Sequence, residues 1–159
     1  MAGEWARRFP ELFDEDDVRL VKSQGRYSWH FVEWLAAILL YHTTGYLSLV
    51  SKYEFANHRR KQEIVEKVLP AGVLLILRDR TEHGHAQGPD LLVYARDFSD
   101  WFFCEVKGPR DRLQPEQERR FEALATASRK PVRLLQFRWA PGSRPHGRWA
   151  DTAALIGAE

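Results

Sequence analysis

The chain has 159 residues, 44% apolar and 29% charged, with a formal net charge of +2 and a pI of about 8.8. That is enough for one soluble domain with a real core, and the single cysteine, Cys104, excludes an internal disulfide and a cysteine-rich zinc site. The apolar run over residues 31–41 is too short for a membrane span and is interrupted by Glu33, and no cleavable leader is visible. The expected setting is therefore cytoplasmic (bacterial or phage-type) or nuclear, not secreted.

Residues 1–27 mix apolar Trp5, Phe9, Leu12 and Phe13 with the acidic cluster Glu15-Asp16-Asp17, and read as an N-terminal extension with a short packing helix. The acidic cluster lacks the alternating ligands and glycine of a calcium loop. Lys22, Arg26 and Tyr27 are candidates to touch a phosphate. Residues 28–41 read as a helix capped by Ser28, with Phe31, Leu35, Ile38 and Leu39 at helical spacing and Trp34 and Leu40 widening the stripe. Glu33 is a carboxylate in that apolar setting, and a buried acid needs a partner or a metal.

Residues 46–50 read as a short strand, and residues 54–69 as a second helix with Phe55, Ile64, Val65 and Val68 inward. Its other face carries His58, Arg59, Arg60, Lys61 and Lys67, a basic face suited to a phosphate backbone or to solvent. Pro70-Ala71-Gly72 is read as its stop, and residues 73–77 as an apolar strand. Residues 81–88 read as a polar loop, and its His83 and His85 lack the neighbours a zinc site needs.

The next stretch carries the chemistry. Leu91-Leu92-Val93-Tyr94 reads as a buried strand, and Trp101-Phe102-Phe103-Cys104-Glu105-Val106-Lys107 as a second, stopped by Gly108-Pro109. The polar turn Asp97-Phe98-Ser99-Asp100 joins them in a hairpin, which brings Asp90 beside Glu105 and Lys107. The period of two puts Glu105 and Lys107 on one face, roughly 6–7 Å apart along the strand, with Cys104 and Val106 on the other. Two carboxylates from different strands suit a hard cation such as Mg²⁺ or Mn²⁺. Such a cation can activate a water beside a phosphodiester, with Lys107 stabilising the phosphate or orienting the water. A lone Glu-x-Lys on a strand is usually a salt-bridged strand end; Pro-Asp upstream and Gly-Pro downstream favour the site.

Residues 115–127 read as an amphipathic helix with Phe121, Leu124 and Ala125 inward, and residues 132–139 as the last core strand. From residue 140 the tail is rich in Gly, Pro and Arg, with Arg144, His146, Arg148 and Trp149 able to grip a phosphate or stack on a base. The order helix, strand, helix, strand, hairpin, helix, strand makes an α/β domain with a small mixed sheet flanked by helices. The domain is expected over residues 28–139.

Gly88-Pro89-Asp90, then Glu105-Val106-Lys107-Gly108-Pro109, then Asp111-Arg112-Leu113 and Gln117, resembles the VRR-NUC branch of the PD-(D/E)xK nucleases, in particular the nuclease domain of the Fanconi-associated nuclease. The resemblance is strong over residues 88–124, fainter over 29–80 and absent at both ends. It implies a restriction-endonuclease-like core and metal-dependent cleavage of DNA. Asp90 and Glu105 match the metal-binding acids, Lys107 the catalytic lysine, the Val106 carbonyl a further ligand, and Gln117 a glutamine near the site on the following helix. Glu33 matches the glutamate supplied by the first core helix, with Glu54, Glu63 and Glu66 as competitors. The family often has Ser where this chain has Gln114, so the usual cap hydroxyl is missing and Pro115 is the compensating residue.

These features lead to a Mg²⁺- or Mn²⁺-dependent endonuclease selective for branched, flapped or junction DNA. With no further domain to bind a branch, it would act as a homodimer or with a partner. A non-cleaving DNA-binding or scaffold module on the same fold and an RNA nuclease are the rival readings.

Overall fold

The computed structural model describes residues 2–23, 31–50, 53, 58–79 and 88–138. The hairpin read from the sequence is the centre of its sheet. β2 (Leu91–Tyr94) and β3 (Trp101–Lys107) pair antiparallel, with Leu91 opposite Cys104 and Tyr94 opposite Trp101. At its turn the Ala95 N–H donates to the Asp100 carbonyl at 2.8 Å, and Phe98 takes a left-handed φ of 62°. Tyr94 stacks on the Phe98 ring, and Lys67 Nζ lies 4.0 Å from its centroid, so packing holds a backbone conformation that a bulky residue rarely adopts.

β1 (Leu47–Val50) pairs antiparallel with β2, and β4 (Arg133–Gln136) pairs parallel with β3, giving the order β1-β2-β3-β4. A parallel pair needs a crossover, and here it is a helix, α6 (Pro115–Ser128). β2 and β3 are buried along their whole length, whereas β4 is a largely exposed edge strand rather than the expected core strand. Only its flanks Val132 and Phe137, with Leu135, pack on the core.

Five more helices precede the hairpin among the described residues: α1 (Ala2–Arg8), α2 (Glu15–Ser23), α3 (Phe31–Thr44), α4 (Arg59–Val68) and α5 (Ala71–Arg78). The N-terminal stretch thus forms two helices, and Leu12 and Phe13 between them enter the core, Phe13 stacking on Trp34 with centroids 4.0 Å apart. α3 is buried over Phe31 and from Glu33 to Ile38, and Gly45, at a φ of 73°, ends it. Among the described residues no helix is long and apolar enough to cross a membrane.

Two further expectations are overturned. Residues 73–77 are not a strand but the middle of α5, and Pro70 begins that helix instead of closing the previous one: its carbonyl accepts from the Val73 and Leu74 N–H groups. A short continuous apolar run has no periodicity to separate a buried strand from a buried helix. Val73 and Leu77, four apart, are fully buried, and Leu75 between them is 74% exposed. Arg120 of α6 supports the helix by donating to the Ile76 and Leu77 carbonyls, both at 2.8 Å.

The basic face of α4 is also not free. Lys61 is buried, 2.5 Å from Asp17 and 3.8 Å from Asp14; Arg60 pairs with Asp14 at 3.4 Å and donates to the Glu11 carbonyl; Arg59 pairs with Glu63. Asp17 of the acidic cluster, with Asp14 just before it, therefore answers two cations of α4, while Asp16 pairs with Arg19 on α2 itself. Ser28, Glu54, Phe55, His83, His85, Arg26, Tyr27, Trp139, the side chain of Lys22 and the tail candidates Arg144, His146, Arg148 and Trp149 lie outside the described residues.

Candidate active site

The pairing of β2 with β3 places Asp90, the residue before β2, against the end of β3. Asp90 Oδ2 accepts the Val106 N–H at 2.8 Å, and the Asp90 N–H points back to Glu105 Oε2 at 3.3 Å. These reciprocal bonds tie the two acids together where the ladder itself has ended. Tyr53 sets the approach of the chain: its buried hydroxyl donates to the Pro89 carbonyl at 2.9 Å, one residue before Asp90. Tyr53 had no signal in the sequence, because it lies 36 residues from the group it holds.

Lys107 and Gln117 complete the cluster. Lys107 Nζ lies 2.7 Å from Glu105 Oε1 and 3.1 Å from Gln117 Oε1. Gln117 Nε2 donates to Glu105 Oε1 at 2.9 Å, and its Oε1 also accepts the Gln114 N–H at 3.2 Å. Gln117 therefore does two jobs, accepting the Gln114 N–H as the third residue of a capping box at the start of α6 and bridging the acid to the lysine. Pro115 occupies the first turn of α6, as expected.

Burial makes the cluster electrostatically demanding. Glu105 is 2% exposed and Lys107 and Glu33 are each 9% exposed, while Asp90 is half-buried. Desolvation and the charge of Glu105 push the Asp90 carboxyl up to about 8, against the pull of the Val106 N–H; Glu33 raises it further and Lys107 lowers it. Glu33 on α3 thus faces this site. Of its competitors, Glu63 pairs with Arg59, Glu66 is exposed, and Glu54 is outside the described residues.

Asp90 and Glu105 are hard oxygen donors of the kind Mg²⁺ and Mn²⁺ take, and their mutual repulsion is what a bound cation relieves. The Val106 carbonyl suits a third position. The Lys107 carbonyl accepts the Phe137 N–H on the β4 side, and successive carbonyls of a strand alternate, so that of Val106 points toward Asp90. Among the described residues no three acidic, histidine or cysteine side chains form a ready cage, so the ligand set would be the two acids plus the main chain, with Glu33 behind. An open groove of about 690 Å³ between α1 and α2 contains none of these groups.

The VRR-NUC domain model matches residues 32–139, two thirds of the chain, spanning α3, the hairpin, α6 and β4. The chain belongs to the VRR-NUC domain family. It is a nuclease-type domain, and its mixed four-stranded sheet flanked by helices is the fold expected of that family. Comparison with curated proteins finds no match, and neither does comparison with solved structures.

Proposed function

We propose that this VRR-NUC domain is a Mg²⁺- or Mn²⁺-dependent DNA endonuclease selective for branched, flapped or junction DNA. The observation that carries the reading is the convergence of Asp90, Glu105, Lys107 and Gln117 in one hydrogen-bonded cluster at the end of a hairpin. A structural salt bridge needs one acid and one base. Here a second, half-buried acid is added and held at a carboxyl pKa of about 8, a cost to stability that a metal-binding role accounts for.

Asp90, Glu105 and the Val106 carbonyl would hold the cation, with Glu33 as the next carboxylate. When bound it would offset charge on the phosphodiester and lower the pKa of a water. The chain's own groups do the rest. Glu105 Oε1 and Gln117 Oε1 fix the Lys107 ammonium, so it meets a phosphate oxygen or the attacking water without reorganising. Gln117 keeps acid and lysine in register. Two copies related by a two-fold axis would present two sites to opposite strands of a junction; light scattering with and without junction DNA tests that dimer, and a monomer in both refutes it.

The test of the substrate is cleavage of labelled flap, splayed-arm, four-way junction and linear DNAs, with matched RNA, in Mg²⁺, Mn²⁺ or EDTA. Metal-dependent cutting of a branched DNA before linear DNA and RNA is expected. Preference for RNA, or equal cutting of every DNA, overturns the substrate assignment.

A further inference from the structure

The fold sorts the basic side chains into those already neutralised and those left open. The three cations that begin α4, which the sequence offers as a phosphate-binding face, are paired with Glu63, Asp14 and Asp17. Among the described residues four arginine side chains have no ion pair, hydrogen bond or ring contact: Arg110, Arg112, Arg129 and Arg138, all exposed. Arg129 ends α6, next to Lys130, which pairs with Asp100 at the hairpin turn, far from the acids. The other three lie at the opposite end, beside Lys107.

Three contacts place them. Lys107 is in register with Gln136 across the β3–β4 pair. The Phe137 N–H donates to the Lys107 carbonyl at 2.8 Å, so Arg138 follows directly on a residue bonded to the catalytic strand. Gln136 Nε2 donates to the Gly108 carbonyl at 2.5 Å, tying the end of β4 to the loop that carries Arg110 and Arg112. Asp111, between those two arginines in the chain, turns its carboxylate to the Gly108 N–H at 2.9 Å. Its pairing is inward, and both guanidinium groups stay open. Residues paired across a ladder point the same way, so Leu134 and Gln136 share the face of Glu105 and Lys107. Leu134 is 52% exposed, which leaves that face open on the β4 side.

We infer that the DNA backbone runs past the acids over the β3–α6 loop and the end of β4, its phosphates met by Arg110, Arg112 and Arg138, and not along α4. Guanidinium groups suit this task because their planar fork matches a phosphate and their charge is permanent. The inference rests on the nuclease reading and adds the path of the substrate to it.

The test measures DNA binding by fluorescence anisotropy in an Asp90→Asn background, which keeps an acceptor for the Val106 N–H, across about 50–200 mM salt. Adding Arg110→Ala, Arg112→Ala and Arg138→Ala is expected to weaken binding roughly tenfold or more and to reduce the slope of log affinity against log salt by about 2–3. A control carrying Arg59→Ala and Arg129→Ala is expected to bind as the parent does. Among the described residues none of the three arginines has a side-chain ion pair, hydrogen bond or ring contact, so the triple variant should melt with its parent. If the triple variant binds like its parent and the control is weakened, DNA lies along α4 or past the end of α6 and the inference is wrong. If neither variant differs from the parent, these arginines are solvated surface charges only, which also overturns it. If the parent does not bind DNA and the wild type does not cut it, the nuclease reading falls first and takes the inference with it.

Discussion

Lys61 carries a buried charge outside the candidate active site. Its ammonium lies 2.5 Å from Asp17 and 3.8 Å from Asp14, and all three side chains are 4–6% exposed. Lys61→Ala leaves two acids facing each other in a buried space. Desolvation already pushes the Asp17 carboxyl above its ordinary value, so the orphaned acid would tend to take up a proton. Breaking a buried pair from one side costs about 3–5 kcal/mol. For a domain of this size each kcal/mol moves the midpoint by about 2–4 °C, so Lys61→Ala should melt about 6–20 °C below the wild type. Lys61→Met with Asp17→Asn removes both charges while keeping an acceptor for the Asp14 N–H, and should recover at least half of the loss. Thermal unfolding followed by circular dichroism reads both. A single variant within about 2 °C of the wild type would refute the reasoning, as would a double variant less stable than the single.

Other consequences follow from named groups. In EDTA the folded Asp90 titrates near 8 against an ordinary 3.8. Between those values the native state holds a proton that the unfolded state has lost, so stability should fall as pH rises from about 4 to about 8, and Asp90→Asn should flatten that fall; calorimetry across the range checks it. Tyr53→Phe keeps a ring that is 1% exposed and deletes the bond to the Pro89 carbonyl. It should cost about 1 kcal/mol of stability while lowering DNA cleavage several-fold below the temperature of unfolding. Cys104 is 2% exposed and burial pushes its thiol up to about 12, so a thiol reagent near pH 8 should modify it only when the protein unfolds, as mass spectrometry would show.

The candidate cluster was legible because its parts are local. Asp90, Glu105 and Lys107 come from one hairpin, and an alternating strand with a polar turn fixes which end and which face they occupy. Glu33 was visible as a carboxylate inside an apolar helical stripe, and in the fold its charge acts on Asp90. What the sequence hid was set by distant partners. The α4 cations looked open because Asp17 and Asp14 lie 44 and 46 residues from Lys61 and Arg60. α5 looked like a strand because an unbroken apolar run carries no period, and its support comes from Arg120, more than 40 residues on. β4 alternates as a core strand does, yet edge position rather than pattern decided its exposure.

The central claim is that the cluster of Asp90, Glu105 and Lys107 is a catalytic centre and not a structural ion pair. The most direct measurement is cleavage of a labelled flap DNA with Mg²⁺ or Mn²⁺ by wild type, Asp90→Asn, Glu105→Gln and Lys107→Met, with unfolding midpoints recorded in parallel. The account predicts that the wild type cuts, that EDTA stops it, and that each variant stays folded with cleavage reduced by at least about 100-fold, the scale expected when a transition-state contact is removed. Variants that remain folded and cut as the wild type does, or a folded wild type that binds DNA and cuts no substrate with either metal, would contradict it.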